Sequence, residues 1–145
     1  MFGWEFPPHI LGGLGTASYG LTKGMWECGD MDITFVIPKP WGDEDRSFAH
    51  IVGASQVPVA WRDVDRDYVE SRIGKVMDPD LYFRLRDNIY ADFNYMRTND
   101  LGCIEFSGRY PDNLLEEINN YSIMAGVVAR TIPCDVIHSH DWLTY

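Results

Sequence analysis

Trp4-Glu5-Phe6-Pro7-Pro8-His9-Ile10-Leu11-Gly12-Gly13-Leu14-Gly15 decides how this chain is read. The stretch leaves a hydrophobic stub, Met1 to Trp4, and the Pro7-Pro8 pair is expected to hold it extended. Proline fixes its own φ and pushes the residue before it out of the helical region. Gly12 and Gly13 then turn the chain into a segment of helical periodicity. Leu14, Ala17, Leu21, Met25 and Cys28 fall three or four apart, one face of a helix. A strand, a glycine turn and a helix start, in that order, make a place for a phosphate or a sugar. The turn's backbone N–H groups and the positive end of the helix dipole face one point, and glycine admits a ligand close to the main chain. Adjacent glycines also make ordinary tight turns, so this stretch alone leaves the function open.

Outward from it, Gly20 and Gly24 weaken the helix by up to ~1 kcal/mol each relative to alanine, which points to close packing on a sheet. Gly29 stands where a left-handed C-terminal cap belongs. Ile33 to Ile37 is a continuous apolar strand stopped by Pro38, so the opening is a βαβ unit with its site at the first turn. Met1 to Trp4 is short for a buried parallel strand, and the strand is expected to begin upstream. Lys39 to Ser47 is a Pro/Gly/acid loop. His50 to Val59 is a further strand or a hairpin arm, with Pro58 near an edge, and Arg62 to Asp67 is a solvated surface. Asp78-Pro79 starts a helix along which Tyr82, Leu85, Ile89, Phe93 and Met96 form a stripe suited to a core or to the wall of a glucan groove. Asp112 is expected to cap another helix, buried through Leu115, Ile118, Ser122, Ala125 and Ala129 and ended by Pro133. Asp135 to His138 is the next parallel strand.

Composition narrows the class. With 46% hydrophobic and 23% charged residues in 145, the chain can bury one core. A net charge of −10 speaks against nucleic acid, which requires a basic stripe. It leaves room for a nucleotide-sugar held by backbone amides. No apolar run approaches a membrane span and no signal peptide opens the chain. Cys28, Cys103 and Cys134 follow no metal or disulfide spacing and are expected as reduced, mostly core-packed thiols of a cytoplasmic protein.

A second motif closes the sequence: His138-Ser139-His140-Asp141-Trp142. Residues two apart on a strand share a side, so His138 and His140 project together where a strand ends. Ligands of doubly wound sheets bind at such carboxyl ends, and the Gly12-Gly13 turn also lies at one. Taken together, Glu5-Phe6-Pro7-Pro8-His9 with Gly12-Gly13-Leu14-Gly15, and His138 to Trp142, resemble the N-terminal domain of retaining glycosyltransferases with the GT-B fold. The nearest branch is the starch and glycogen synthase group.

The resemblance implies an α/β fold with a three-layer, Rossmann-like parallel sheet. Residues 1–145 would form a partial, acceptor-side N-terminal domain, with the nucleotide-sugar-binding domain absent and the chain a fragment. It implies transfer of glucose from ADP-glucose or UDP-glucose to the non-reducing end of an α-1,4-glucan with retention, without a cofactor or a catalytic metal. By the same resemblance His140 lies beside the donor glucose as the catalytic position. Asp141 fixes its loop, Trp142 packs beneath, Gly12 and Gly13 approach the donor phosphates, and Glu5 meets the acceptor sugar. Ile10 stands where bacterial glycogen synthases carry a lysine, and Thr16 where they carry an acid, which leaves room for another retaining hexosyltransferase of this fold. The paired basic residues and the glutamate motif that grip the donor belong to the second domain, so the chain alone is expected to be inactive.

Three other readings compete. His-x-His at a strand end is a metal-ligand spacing, which makes a metal-dependent hydrolase the alternative, with His9 and His50 as the remaining partners for His138 and His140. A non-catalytic sugar- or nucleotide-binding module of the same fold is another. In the third, the two histidines merely end a strand.

Overall fold

Ile33 to Ile37 does become the strand around which the rest is built. In the computed structural model, which describes residues 1–59, 78–81 and 98–144, β1 (Thr34–Ile37) pairs in parallel with β2 (His50–Gly53). Thr34 stands opposite His50 and Ile37 opposite Gly53. The parallel ladder makes His50–Gly53 a strand and not a hairpin arm, but the strand expected over His50 to Val59 stops at Gly53, where Ala54–Gln56 coils into a short 3-10 helix. The 38–49 connection is the expected loop, tied down by the buried Glu44 carboxylate, which accepts hydrogen bonds from the N–H groups of Trp41 and Gly42.

The short stub is bonded on both sides. Val36 N–H donates to Met1 O (2.8 Å) and Gly3 N–H to Val36 O (2.9 Å). On the other edge Phe2 N–H donates to His138 O (2.8 Å) and His140 N–H to Phe2 O (3.0 Å). Both bridges at Phe2 are parallel, so residues 138–140, 1–3, β1 and β2 lie side by side in that order. The last parallel segment thus pairs at 138–140 and not along all of 135–138. Val136 and Ile137 stay 79% and 56% exposed.

Side chains alternate across β1. Phe35 and Ile37 enter one cluster with Phe6, Phe48 and Ile51, while Val36 enters another with Phe2, Trp4, Ile104 and Phe106. Helix α1 (Gly13–Glu27) covers the first cluster through Tyr19 and Met25. Helix α2 (Leu114–Thr131) covers the second through Tyr121, Met124, Val127 and Val128.

Both helices form where expected, but each is turned relative to its predicted face. In α1 the buried residues are Gly15, Ser18 and Thr22, while Ala17, Leu21 and Cys28 are exposed. Small side chains mark the line of closest approach, and the Thr22 hydroxyl satisfies itself on Ser18 O at 2.7 Å. In α2 the predicted face fails at Leu115, 75% exposed, and at Ser122 and Ala129. The buried line instead includes Glu117 and Asn120, polar residues that an apolar count overlooks. Glu117 is satisfied by the N–H and hydroxyl of Ser107, both at 2.9 Å. Asn113, not Asp112, occupies the N-cap position, with no side-chain cap bond to the backbone.

Gly29 adopts the expected left-handed conformation, φ +81°, at the end of α1, and Pro133 follows α2. The tight-packing role expected of Gly20 and Gly24 belongs to Gly15. A Cβ on Gly15 would lie 2.3 Å from Ile10 Cγ2, whereas one on Gly20 or Gly24 meets nothing within 4 Å. Gly20→Ala and Gly24→Ala are therefore expected to stabilise the protein by up to about 1 kcal/mol each, and Gly15→Ala to destabilise it by about 1–3 kcal/mol. Thermal unfolding of the three variants checks this; equal shifts would contradict the packing.

Asp78 Oδ1 accepts from Asp80 N–H at 3.0 Å at the start of the helical turn 79–81, as expected. The stripe Tyr82 to Met96 and the surface Arg62 to Asp67 lie outside the described residues. All three cysteines are free thiols, but Cys28 and Cys134 are exposed and Cys103 alone of them is core-packed. Among the described residues no helix is long and apolar enough to cross a membrane.

Candidate functional site

At the carboxyl end of the parallel segments the chain leaves residues 1–3 through Trp4 and Glu5. Pro7 and Pro8 do not keep it extended, as the sequence led one to expect. The peptide between them is cis and the chain reverses, so that Phe6 and His9 pair antiparallel. The reversal leads into Gly12, whose extended backbone precedes the first turn of α1. That turn carries no acidic residue and no side-chain cap, so its first N–H groups are left for a ligand or water. A Cβ at Gly12 or Gly13 would meet nothing within 4 Å. The turn is open.

Glu5 is 4% exposed and neither carboxylate oxygen has a hydrogen-bond partner. Its Oε2 lies 3.0 Å from where a Gly15 Cβ would be, which places the carboxylate beside the first turn of α1. The Tyr110 phenol approaches it without a formed hydrogen bond. Burial first, then Glu5 and the Asp141 charge, raise the Tyr110 pKa well above the usual tyrosine range. Tyr110 thus feels the charges of both Glu5 and Asp141. No motif marked it in the sequence, because a single tyrosine before a proline has no spacing to read.

The His-x-His expectation holds. The two rings stand 4.5 Å apart at 36°, on one side. His140 is 8% exposed, rests on the Phe35 ring at 5.5 Å, and leaves Nε2 buried without a partner. Its pKa is lowered from the ordinary 6.5 by burial first, then by His138 and the Met1 ammonium, so the imidazole is neutral at pH 7. A neutral ring with a free nitrogen can donate to or accept from a ligand oxygen, according to its tautomer.

Asp141 sits in the left-handed region, φ +65°. Its Oδ1 accepts from Trp142 N–H at 2.6 Å, and Thr144 closes the turn by donating its hydroxyl to His140 O at 2.7 Å. Trp142 does not pack beneath the loop: it is 58% exposed, and Leu143, at 3%, enters the core instead. The short turn Trp142–Thr144 points the smaller, aliphatic side chain inward.

The remaining histidines are elsewhere. His9 Nε2 is 2.8 Å from Asp43 Oδ1, and His50 opens β2 at the amino end of the sheet, away from His140. Among the described residues no three His, Cys, Asp or Glu side chains gather where a metal ion could be held. The ligand set that a metal-dependent hydrolase requires is therefore not assembled by these histidines.

The geometry sets a buried carboxylate beside an open glycine turn and leaves a neutral imidazole at the carboxyl end of the neighbouring parallel segment. Comparison with curated proteins and with solved structures finds no match. The starch synthase catalytic domain, in contrast, matches along residues 1–145, and the chain belongs to that glycosyltransferase family.

Proposed function

We infer that this chain is the acceptor-side, N-terminal part of a retaining GT-B glucan synthase with a three-layer, Rossmann-like sheet. It works with a nucleotide-sugar domain outside residues 1–145. The reaction moves glucose from ADP-glucose or UDP-glucose to the non-reducing end of an α-1,4-glucan. The nucleotide-sugar is a substrate, and no further cofactor or metal enters. Three free thiols favour a cytoplasmic setting.

One observation carries this reading: Glu5 and His140 Nε2 are both buried and unpartnered, Glu5 beside the uncapped start of α1 and His140 at the carboxyl end of the parallel segment 138–140. Buried polar groups are normally satisfied, and a polyol supplies the missing hydroxyls. Glu5 accepts from hydroxyls of the acceptor sugar. His140 holds a hydroxyl of the donor glucose and orients its anomeric carbon. The Gly12-Gly13 amides and the helix dipole stabilise the diphosphate as negative charge grows on it. Covering these groups with sugar also excludes water from an oxocarbenium-like centre. The acceptor proton leaves with the diphosphate, so no separate base is required.

Glucosyl transfer to maltohexaose tests the proposal. The isolated chain is expected to bind maltohexaose and to transfer no glucose, whereas the chain joined to its second domain transfers it. Turnover by the isolated chain would overturn the two-domain reading, and failure to bind maltohexaose would overturn the acceptor-side role.

A further inference from the structure

Trp41 stands 42% exposed in the 38–49 loop, and two separate contacts fix it next to the segment that carries Glu5. The His9 imidazole lies on the Trp41 ring at 4.9 Å and 31°, and the His9 backbone pairs with Phe6, the residue after Glu5. Independently, Arg109 Cζ lies 5.9 Å from the same ring, and the Arg109 carbonyl accepts from Nε1 of Trp4, the residue before Glu5, at 3.1 Å. Arg109 is followed directly by Tyr110, half-buried, whose phenol approaches the Glu5 carboxylate. A path of side chains thus runs from Glu5 over Tyr110 and Arg109 to Trp41.

The far end of that path is built, not merely exposed. The Trp41 N–H is bonded to the buried Glu44 carboxylate. Gly108, at φ +70°, lets the two loops close, since a Cβ there would fall 3.4 Å from Trp41 Cζ2. Lys39 Nζ, 4.8 Å from the ring centroid, and the Arg109 guanidinium bring N–H donors to the indole. Asp43, Glu44 and Asp45 offset Lys39, Arg46 and Arg109, so an anion gains little there over a neutral ligand. An aromatic surface with a few placed donors and no excess of charge fits a neutral polyol, whose hydroxyls accept from Lys39 and Arg109.

We propose that Trp41, Lys39 and Arg109 form a distal glucan subsite, holding a sugar further along the acceptor chain than the one that meets Glu5. The proposal rests on the acceptor-side reading of Glu5. It adds to that reading a physical reason for preferring a long acceptor. A sugar bound at Glu5 keeps the following sugars near Trp41, so the second contact is made at a high effective concentration.

Calorimetric titration of the whole chain with maltose and with maltohexaose tests the subsite. Maltohexaose should bind at least about tenfold more tightly than maltose, the size of one added hydrogen bond to a charged group. Trp41→Ala and Lys39→Gln/Arg109→Gln should each lose that gain and bind maltose as the unchanged chain does. Glu5→Gln should weaken both sugars alike. Trp26→Phe, near the end of α1, should change neither. The Trp41 indole N–H resonance, identified by its loss in Trp41→Phe, should also move with maltohexaose in the unchanged chain, a readout that needs no alanine variant to fold. Variants that keep the maltohexaose gain, an equal loss for both sugars in Trp41→Ala, or a resonance that stays still at saturation would each overturn the distal subsite and leave the acceptor-side reading standing. Binding of neither sugar by the unchanged chain would overturn both.

Discussion

Replacing Tyr121 with alanine is expected to remove about 3–5 kcal/mol of unfolding free energy, a large share of the roughly 5–15 kcal/mol that holds a domain folded. The ring is 1% exposed and is met edge-on by Trp4 at 5.6 Å, Phe106 at 6.2 Å and Phe2 at 6.4 Å. Its hydroxyl lies 2.8 Å from Val36 O and 3.0 Å from Gly3 O, so one side chain of α2 pins the two central strands. Burial raises the phenol pKa far above its ordinary value and keeps that donor protonated. Tyr121→Phe separates the two contributions. Val36 O would keep the Gly3 N–H bond at 2.9 Å, while Gly3 O would lose its tyrosine partner, at a cost of about 1–3 kcal/mol. Urea unfolding of both variants measures the difference. A phenylalanine variant as unstable as the alanine one would mean that the hydroxyl, not the ring packing, dominates.

Tyr121 also shows what the sequence could and could not convey. It sits one position before Ser122 and was not among the residues that apolar counting picked for the buried line of α2. Counting works when burial follows hydrophobicity. Here the buried line contains a tyrosine aimed at strand carbonyls and a glutamate held by Ser107, both placed by partners more than a turn away in the chain. In α1 the same count fails for the opposite reason. Its contact line is Gly15, Ser18 and Thr22, residues too small or too polar to register, and the larger side chains flank it. What was legible depended on backbone punctuation and on period two. Gly12-Gly13 opened α1, Gly29 closed it, Pro133 ended α2, and His138 and His140 came out on one side. Each of those signals is local. The proline pair was local too, yet it turned the chain where extension was expected, because two prolines limit φ without fixing the peptide bond between them. The part Tyr110 plays beside Glu5 had no local signal at all.

The other large effect is expected at His140. In the complete enzyme, His140→Ala should lower kcat/KM by about 10²–10³-fold, the range for removing one preorganised hydrogen-bonding group from a reacting centre. His140→Gln should recover part of it, since an amide can still meet a hydroxyl. The argument turns on charge as well as position. In the proposed reaction a positive ring beside an oxocarbenium-like sugar would oppose transfer; burial, then His138 and the Met1 ammonium, lower the His140 pKa from 6.5. The same shift makes a stability statement. Between the lowered folded value and 6.5, the unfolded chain takes up a proton that the folded chain refuses. The contribution is therefore complete above pH 6.5 and is lost as pH falls through the folded pKa. Urea unfolding across that window should show a loss on acidification that is smaller in His140→Gln. An unchanged pH slope in the variant would mean that His140 does not carry the effect. Full activity in His140→Ala would remove it from the site, leaving the buried, unpartnered nitrogen as a feature of strand packing alone.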